Sequence, residues 1–221
     1  MKRAAKITLI ASTSLIGAVA LTIGAAFSIL GIRTHAIDVP YSYVLAEHKI
    51  VSSRLDVPLV KQEISCGYAI IEMLSDYYGQ KVSEDELYAR NGNRITTSST
   101  GGFVDEINKN IPNLLFSSHD YVPNDELLLR ISQSLEKGHP VAVEWAAKLD
   151  EEWTLHWSLV TGMDQEQVYV NNPYGYKEEI SYDEFIFRTT FRAFEGMSIG
   201  FQFGFAFGLF GKNTVILSSL A

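Results

Sequence analysis

The 221-residue sequence predicts an α+β domain with a mostly antiparallel sheet, preceded by one apolar helix. Three observations predict it. Residues 7–32 hold no charged side chain and follow Lys2, Arg3 and Lys6. Residues 66–138 show helical spacing of apolar residues punctuated by helix caps. From Pro140 onward, short apolar or alternating runs are separated by turn residues. Helices first and strands second is the order of a fold that segregates its helices from an antiparallel sheet.

The N-terminal run is long enough to cross a bilayer, which takes ~20 apolar residues, whereas the apolar region of a secretory signal is ~7–15 residues long. Residues 1–32 are therefore expected to be a signal anchor or a signal peptide, with Thr34-His35-Ala36 as a candidate cleavage site. Either way the basic flank stays in the cytoplasm and the rest is exported, as a single-pass membrane protein with an extracellular domain or as a secreted one. A buried helix of a soluble domain is disfavoured, because the run is apolar on every face and adjoins a basic N-terminus. Residues 33–54 read as a linker and 55–221 as the folded domain.

Ser65 ends a polar loop, and Ala69, Ile70, Met73, Leu74 and Tyr77 then carry a helix that stops near Gly79. Ser83 and Glu86 form a capping box, stapled by Val82 and Leu87. Arg94 to Gly102 is a Thr/Ser/Gly loop, and a short helix is expected over 103–109. Asn124-Asp125-Glu126 starts another helix, which Gly138 ends. Strands follow at 140–145, 157–162 and 167–171, then a turn at Asn172-Pro173-Tyr174-Gly175. Ser181 and Glu184 form a second capping box, stapled by Ile180 and Phe185. Phe201, Phe203, Phe205 and Phe207 recur with period two, which predicts a strand that turns at Gly208–Asn213 and returns as Thr214–Leu217. This closing β-hairpin is favoured over a second membrane span.

Composition removes several functions. A net charge of -8 without a Lys/Arg stripe argues against nucleic acid as a partner. An apolar fraction of 47% excludes general disorder. A single cysteine forbids an internal disulfide, and five histidines without ligand-like spacing give no reason to expect a metal or cofactor.

What remains is nucleophile chemistry. Cys66 stands at a helix N-terminus, where unpaired N–H groups and the macrodipole favour an anion. Such settings bring a thiol from ~8.5 into the range ~3.5–7.5. A cysteine nucleophile needs a base, and the base needs an orienter. His156, in Leu155-His156-Trp157-Ser158-Leu159-Val160-Thr161-Gly162, is a polar ring among apolar neighbours that would fix its rotamer. Asn172 precedes a proline and is held extended, so its direction is set. The Cys66 N–H and the Gln62 amide are the candidate donors to a tetrahedral oxyanion. Singly, a lone cysteine is a small buried hydrophobe, His156 a core histidine and Asn172-Pro173 a turn. Only their occurrence together, in this order, points to catalysis.

That order, Gln62…Cys66-Gly67-Tyr68-Ala69, then His156-Trp157-Ser158, then Asn172-Pro173-Tyr174-Gly175, resembles the papain-like peptidases of the bacteriocin-leader (double-glycine) processing type and their stand-alone relatives. The resemblance spans residues 55–195. It implies a papain-like fold, a Cys66–His156 dyad, Asn172 as orienter and Gln62 as oxyanion donor. The family usually has Asp where Asn172 stands, and its Gln a residue or two further from the Cys. No transporter domain is seen after the motifs, and an exported chain would not meet a cytoplasmic double-glycine leader. The expected activity is a thiol peptidase of a bacterial cell surface, acting on a peptide or protein substrate. The same residues would equally serve a transpeptidase or amidase on wall peptides, or an inactive module that binds peptide.

Overall fold

A computed structural model describes residues 2–94 and 100–220. Helix α1 (Lys2–Ile37) has 36 residues, roughly 54 Å at 1.5 Å per residue, against a hydrocarbon core of ~30 Å. Residues 17–22 of it are exposed. Toward its end one stripe, Ile23, Ala26, Leu30, Thr34 and Ile37, turns inward and becomes partly or fully buried. The 33–54 segment holds the last turn of α1, a one-turn helix α2 (Ser42–Ala46) and a two-residue strand β1 (Ser53–Arg54).

The domain proper follows. Helix α3 (Cys66–Tyr77) and α4 (Glu84–Asn91) start where the caps predict, and the Ser83–Glu86 capping box closes on both sides. Helix α5 (Thr100–Asn110) begins earlier than expected, and residues 95–99 of the Thr/Ser/Gly loop lie outside the described residues. Strand β2 (Leu114–His119) was not foreseen. Helix α6 (Asn124–Glu136) leads into β3 (Val141–Leu149), β4 (Glu152–Met163), β5 (Gln167–Asn172) and β6 (Tyr176–Ser181). Helix α7 (Tyr182–Thr189) is capped by Ser181, which accepts the Glu184 N–H at 3.2 Å. The Glu184 carboxylate turns to Arg188 instead, at 2.7 Å, so this end does not show the expected reciprocal box.

All pairings in the sheet are antiparallel, in the order β2-β7-β3-β4-β5-β6, with β1 on β4. Successive side chains alternate faces. Ala142, Trp157 and Leu159 pack under α3, α4 and α5. Val141, Val143, Trp145 and Val160 pack on α6 and α7. The sheet is thus covered on both sides, and Trp145 and Trp157 are core residues rather than a ligand cage.

The closing hairpin does not form. Thr214–Leu220 is strand β7, but Ile199–Ala206 is helix α8. The sheet order supplies the reason: β7 already lies between β2 and β3, so both its edges are occupied. On a helix the same period-two phenylalanines divide between two faces. Phe205 is fully buried, with its ring 4.6 Å from Phe191 and 5.3 Å from Phe210. Phe203 and Phe207, one turn apart, stack on each other and remain 46% and 47% exposed. A strand would have put all of them on one face. Phe205→Ala is expected to cost about 3–5 kcal/mol, as for a buried aromatic, and Phe203→Ala under about 1 kcal/mol. Paired denaturation midpoints measure the contrast, and equal costs would refute the helix.

Candidate active site

The nucleophile loop is held from below by a carboxylate. Glu84, almost wholly buried at the start of α4, accepts the backbone N–H groups of Glu63, Ile64 and Ser65 at 3.1, 2.9 and 3.1 Å. Its own N–H donates to Glu72 at 2.8 Å. Ser65 then caps α3 by accepting the Tyr68 N–H at 3.2 Å, which fixes where Cys66 enters the helix. Sequence reading saw Glu84 only as a member of the capping segment. A carboxylate that folds back onto another loop leaves no local signal.

Cys66 is 5% exposed and packs in the cluster that contains Phe103 and Trp157. Burial pushes its thiol up to about 12, and the nearby Glu144 adds to the rise, while backbone N–H groups of Trp157, Gly67 and Cys66 oppose it. The helix N-terminus does stabilise the thiolate, as the sequence predicts, but removal from water outweighs it. The expected lowered thiol is therefore reversed in the resting site.

His156 lies on β4 and is 2% exposed. Its Nε2 meets Asn172 Oδ1 at 3.0 Å. The ring stacks on Tyr174 at 4.1 Å between centroids and 20° between planes. Burial pulls the imidazole down to about 4, against the Asn172 hydrogen bond, which favours its charged form. Burial thus disfavours the charged form of both Cys66 and His156. Burial raises the Tyr174 hydroxyl to about 12, with a smaller contribution from Cys66.

Asn172 ends β5 and is fully buried. Its Oδ1 also accepts the Tyr174 N–H at 2.9 Å, and its Nδ2 donates to Glu178 at 2.7 Å. The Gln62 N–H donates to the Pro173 carbonyl at 2.7 Å, which ties the nucleophile loop to the Asn172 turn. Lys61 lies so close to Gly175 that a Cβ there would sit 3.0 Å from its stem, and φ is +99°. This turn needs glycine for both reasons. The Gln62 Oε1 is buried with no hydrogen-bond partner among the described residues.

The structure thus joins His156 and Asn172 directly, sets Cys66 against the backbone of the next residue along β4, and brings Gln62 beside the Asn172 turn. Sequence reasoning missed Glu84, Tyr174 and Glu178. Among the described residues no group of three or more His, Cys, Asp or Glu is arranged to hold a metal ion.

A cysteine at a helix start and a histidine–asparagine pair on neighbouring strands of an antiparallel sheet make this an α+β domain of the papain-like class. The chain belongs to the Peptidase C39-like family, whose model matches residues 54–199. Two solved structures share the fold. One is a double-glycine motif protease from an AMS/PCAT transporter in complex with its leader peptide, 16% identical, with TM-score 0.52 over 77% of this chain and 99% of that one. The other is a putative C39-like peptidase from Bacillus anthracis, 17% identical, with TM-score 0.52 over 77% and 98%. No curated protein matches the sequence.

Two outcomes are expected here. Glu84→Ala leaves three backbone donors without their acceptor and lowers stability by about 3 kcal/mol, read from denaturant midpoints. The second concerns acid. The ordinary histidine value is 6.5, and His156 is lowered to about 4, so below pH 6.5 the unfolded chain binds a proton that the folded one refuses. The stability that His156 contributes is complete above pH 6.5 and falls away as the pH drops to about 4, by about 3 kcal/mol. His156→Gln should flatten that part of the stability–pH curve. An unchanged curve would remove the buried neutral imidazole from the account.

Proposed function

We propose that this protein is a cysteine peptidase, exported and anchored by α1, in which Cys66 attacks a peptide carbonyl and His156 carries the proton. The observation behind this is the His156–Asn172 contact through Nε2. It commits one ring nitrogen to the orienter and leaves Nδ1 as the base. Because the resting pair is neutral, the proton moves from Sγ to Nδ1 as the carbon–sulfur bond forms. Asn172 Oδ1 keeps its hydrogen bond to the imidazolium throughout. The oxyanion is received by the Cys66 N–H and the Gln62 amide. His156 returns the proton to the leaving amine, and a thioester remains on Cys66. Water, deprotonated by the same Nδ1, then attacks the thioester carbon, and the thiolate departs and recovers its proton.

A peptide substrate is supported by the double-glycine motif protease, which was solved with its leader peptide. The membrane reading is supported by α1, an N-terminal helix long and apolar enough to cross a bilayer. Residues 199–211 add a second uncharged surface beside it, exposing Ile199, Phe203, Phe207 and Leu209. Leu30 and Ile37 of α1 are buried in the domain, which favours an anchor that is kept over one that is cut off at Ala36. A second reading, a peptide-binding module without turnover, is favoured by the buried and raised thiol.

Cys66→Ala and His156→Ala should each abolish hydrolysis of a peptide library without unfolding the domain, with His156→Ala lowering the melting temperature because it leaves Asn172 Oδ1 without its ring partner. Gln62→Ala should lower kcat by about 100-fold. A wild-type protein that binds peptides without cleaving them would establish the second reading. For the anchor, alkaline carbonate should leave the intact chain in the membrane pellet, and a mature N-terminus at Ile37 would overturn it.

A further inference from the structure

We propose that Glu178 is a positioning residue that sets the tautomer of His156 through the Asn172 side chain. This rests on the Cys66–His156 reading above. An asparagine has an acceptor end and a donor end of nearly the same shape. The contact between Asn172 and His156 does not by itself decide which end faces the ring. With Oδ1 toward the ring, Nε2 carries the hydrogen and Nδ1 keeps the lone pair that can take the Cys66 proton. With Nδ2 toward the ring, Nε2 must supply the lone pair. Nδ1 then carries the hydrogen, and the base is lost.

Glu178 on β6 decides between these. Its Oε1 receives Asn172 Nδ2 at 2.7 Å, and an ionised carboxylate can only accept. The other oxygen is occupied by Arg188 Nη1 at 2.8 Å. Arg188 is itself fixed, with Nε on Glu184 at 2.7 Å and its guanidinium 4.9 Å from the centre of the Trp145 ring. The order is therefore Arg188, Glu178, Asn172, His156, with every donor and acceptor assigned. The Tyr174 N–H on Oδ1, at 2.9 Å, favours the same orientation. An aspartate at position 172 would place its negative charge directly on the ring. Here the charge sits one side chain further out, and the neutral amide transmits only the orientation.

The test exploits the direction of these bonds. In Glu178→Gln, Arg188 claims the new amide oxygen, so the new NH2 group faces Asn172 and favours turning it round. In Glu178→Gln combined with Asn172→Asp, that NH2 meets a carboxylate whose other oxygen still accepts from the ring. Asn172→Asp alone sets two carboxylates against each other. The readout is the His156 tautomer in 15N-histidine-labelled full-length protein in detergent micelles at pH 7, assigned with His156→Gln, alongside kcat and KM.

The expected result is an Nε2–H ring in the wild type, a shift toward Nδ1–H in Glu178→Gln with a kcat loss of about 10–100-fold and little change in KM, and recovery of both in the double variant. An unchanged tautomer in Glu178→Gln, or a double variant as impaired as Glu178→Gln alone, overturns the proposal. If Glu178→Gln does not fold, Glu178→Ala, which removes the acceptor of Asn172 Nδ2 without supplying a donor, is read for the same loss of the Nε2–H ring, and an unchanged tautomer overturns the proposal. A tautomer that switches as described in a protein that never cleaves peptide keeps the role of Glu178 and rejects the peptidase.

Discussion

His156 Nε2 and Asn172 Oδ1, both buried, meet at 3.0 Å, and the rest of the site is arranged around that bond. Both partners are buried, so neither can exchange the other for solvent, and breaking the bond would strand two polar groups. It needs β4 and β5 in register, which the Val160–Gly162 irregularity adjusts. It also needs the Asn172-Pro173-Tyr174-Gly175 turn, and the Gln62 N–H on the Pro173 carbonyl extends that turn's order to the nucleophile loop. Glu84 holds the same loop from the opposite side. The cysteine, the histidine and the asparagine thus sit on separate elements, joined by backbone hydrogen bonds rather than by their own side chains alone.

Two opposing effects meet at Cys66. The start of α3 and the Trp157 N–H favour a thiolate, while burial disfavours it, and burial wins. The same burial disfavours the imidazolium. In the proposed Cys66–His156 pair, a site that penalises both ions separately would penalise them less together, because each charge would then have the other for company in a medium of low polarity. In the proposed mechanism such a site remains neutral until a substrate draws the proton across. This account differs from a permanently ionised nucleophile, and it follows from the depth of the two side chains rather than from their identity.

The two faces of the sheet divide the work. Helices α3 to α5 carry the nucleophile and its loop on one side, and α6 with α7 forms the support on the other. Arg188, on α7, reaches back to Glu178 at the sheet edge, so the support layer touches the site through one ion pair, which is partly shielded from water. The third apolar cluster joins Leu30 of α1 to Phe191 and Phe205, and through it the N-terminal helix is part of the fold rather than a tether alone.

The sequence by itself determined much of this. Helices starting at Ser65 and Ser83, strands over 157–162 and 167–171, and the α+β order were legible because caps, turns and alternation are local properties of the chain. The order Gln62, Cys66, His156, Asn172 pointed to the family for the same reason. Tertiary structure alone decided what depends on neighbours distant in sequence. Phe201 to Phe207 alternates as a strand does, yet it is helical because β2 and β3 occupy both edges of β7. The thiol rises where its helix position would lower it, because desolvation depends on what covers Cys66. Glu84 and Glu178 are ordinary acidic residues in the sequence, and only the fold brings each carboxylate to the donors it holds. Local patterns report backbone preference, whereas edge occupancy, burial and long-range hydrogen bonds exist only once the chain has closed on itself.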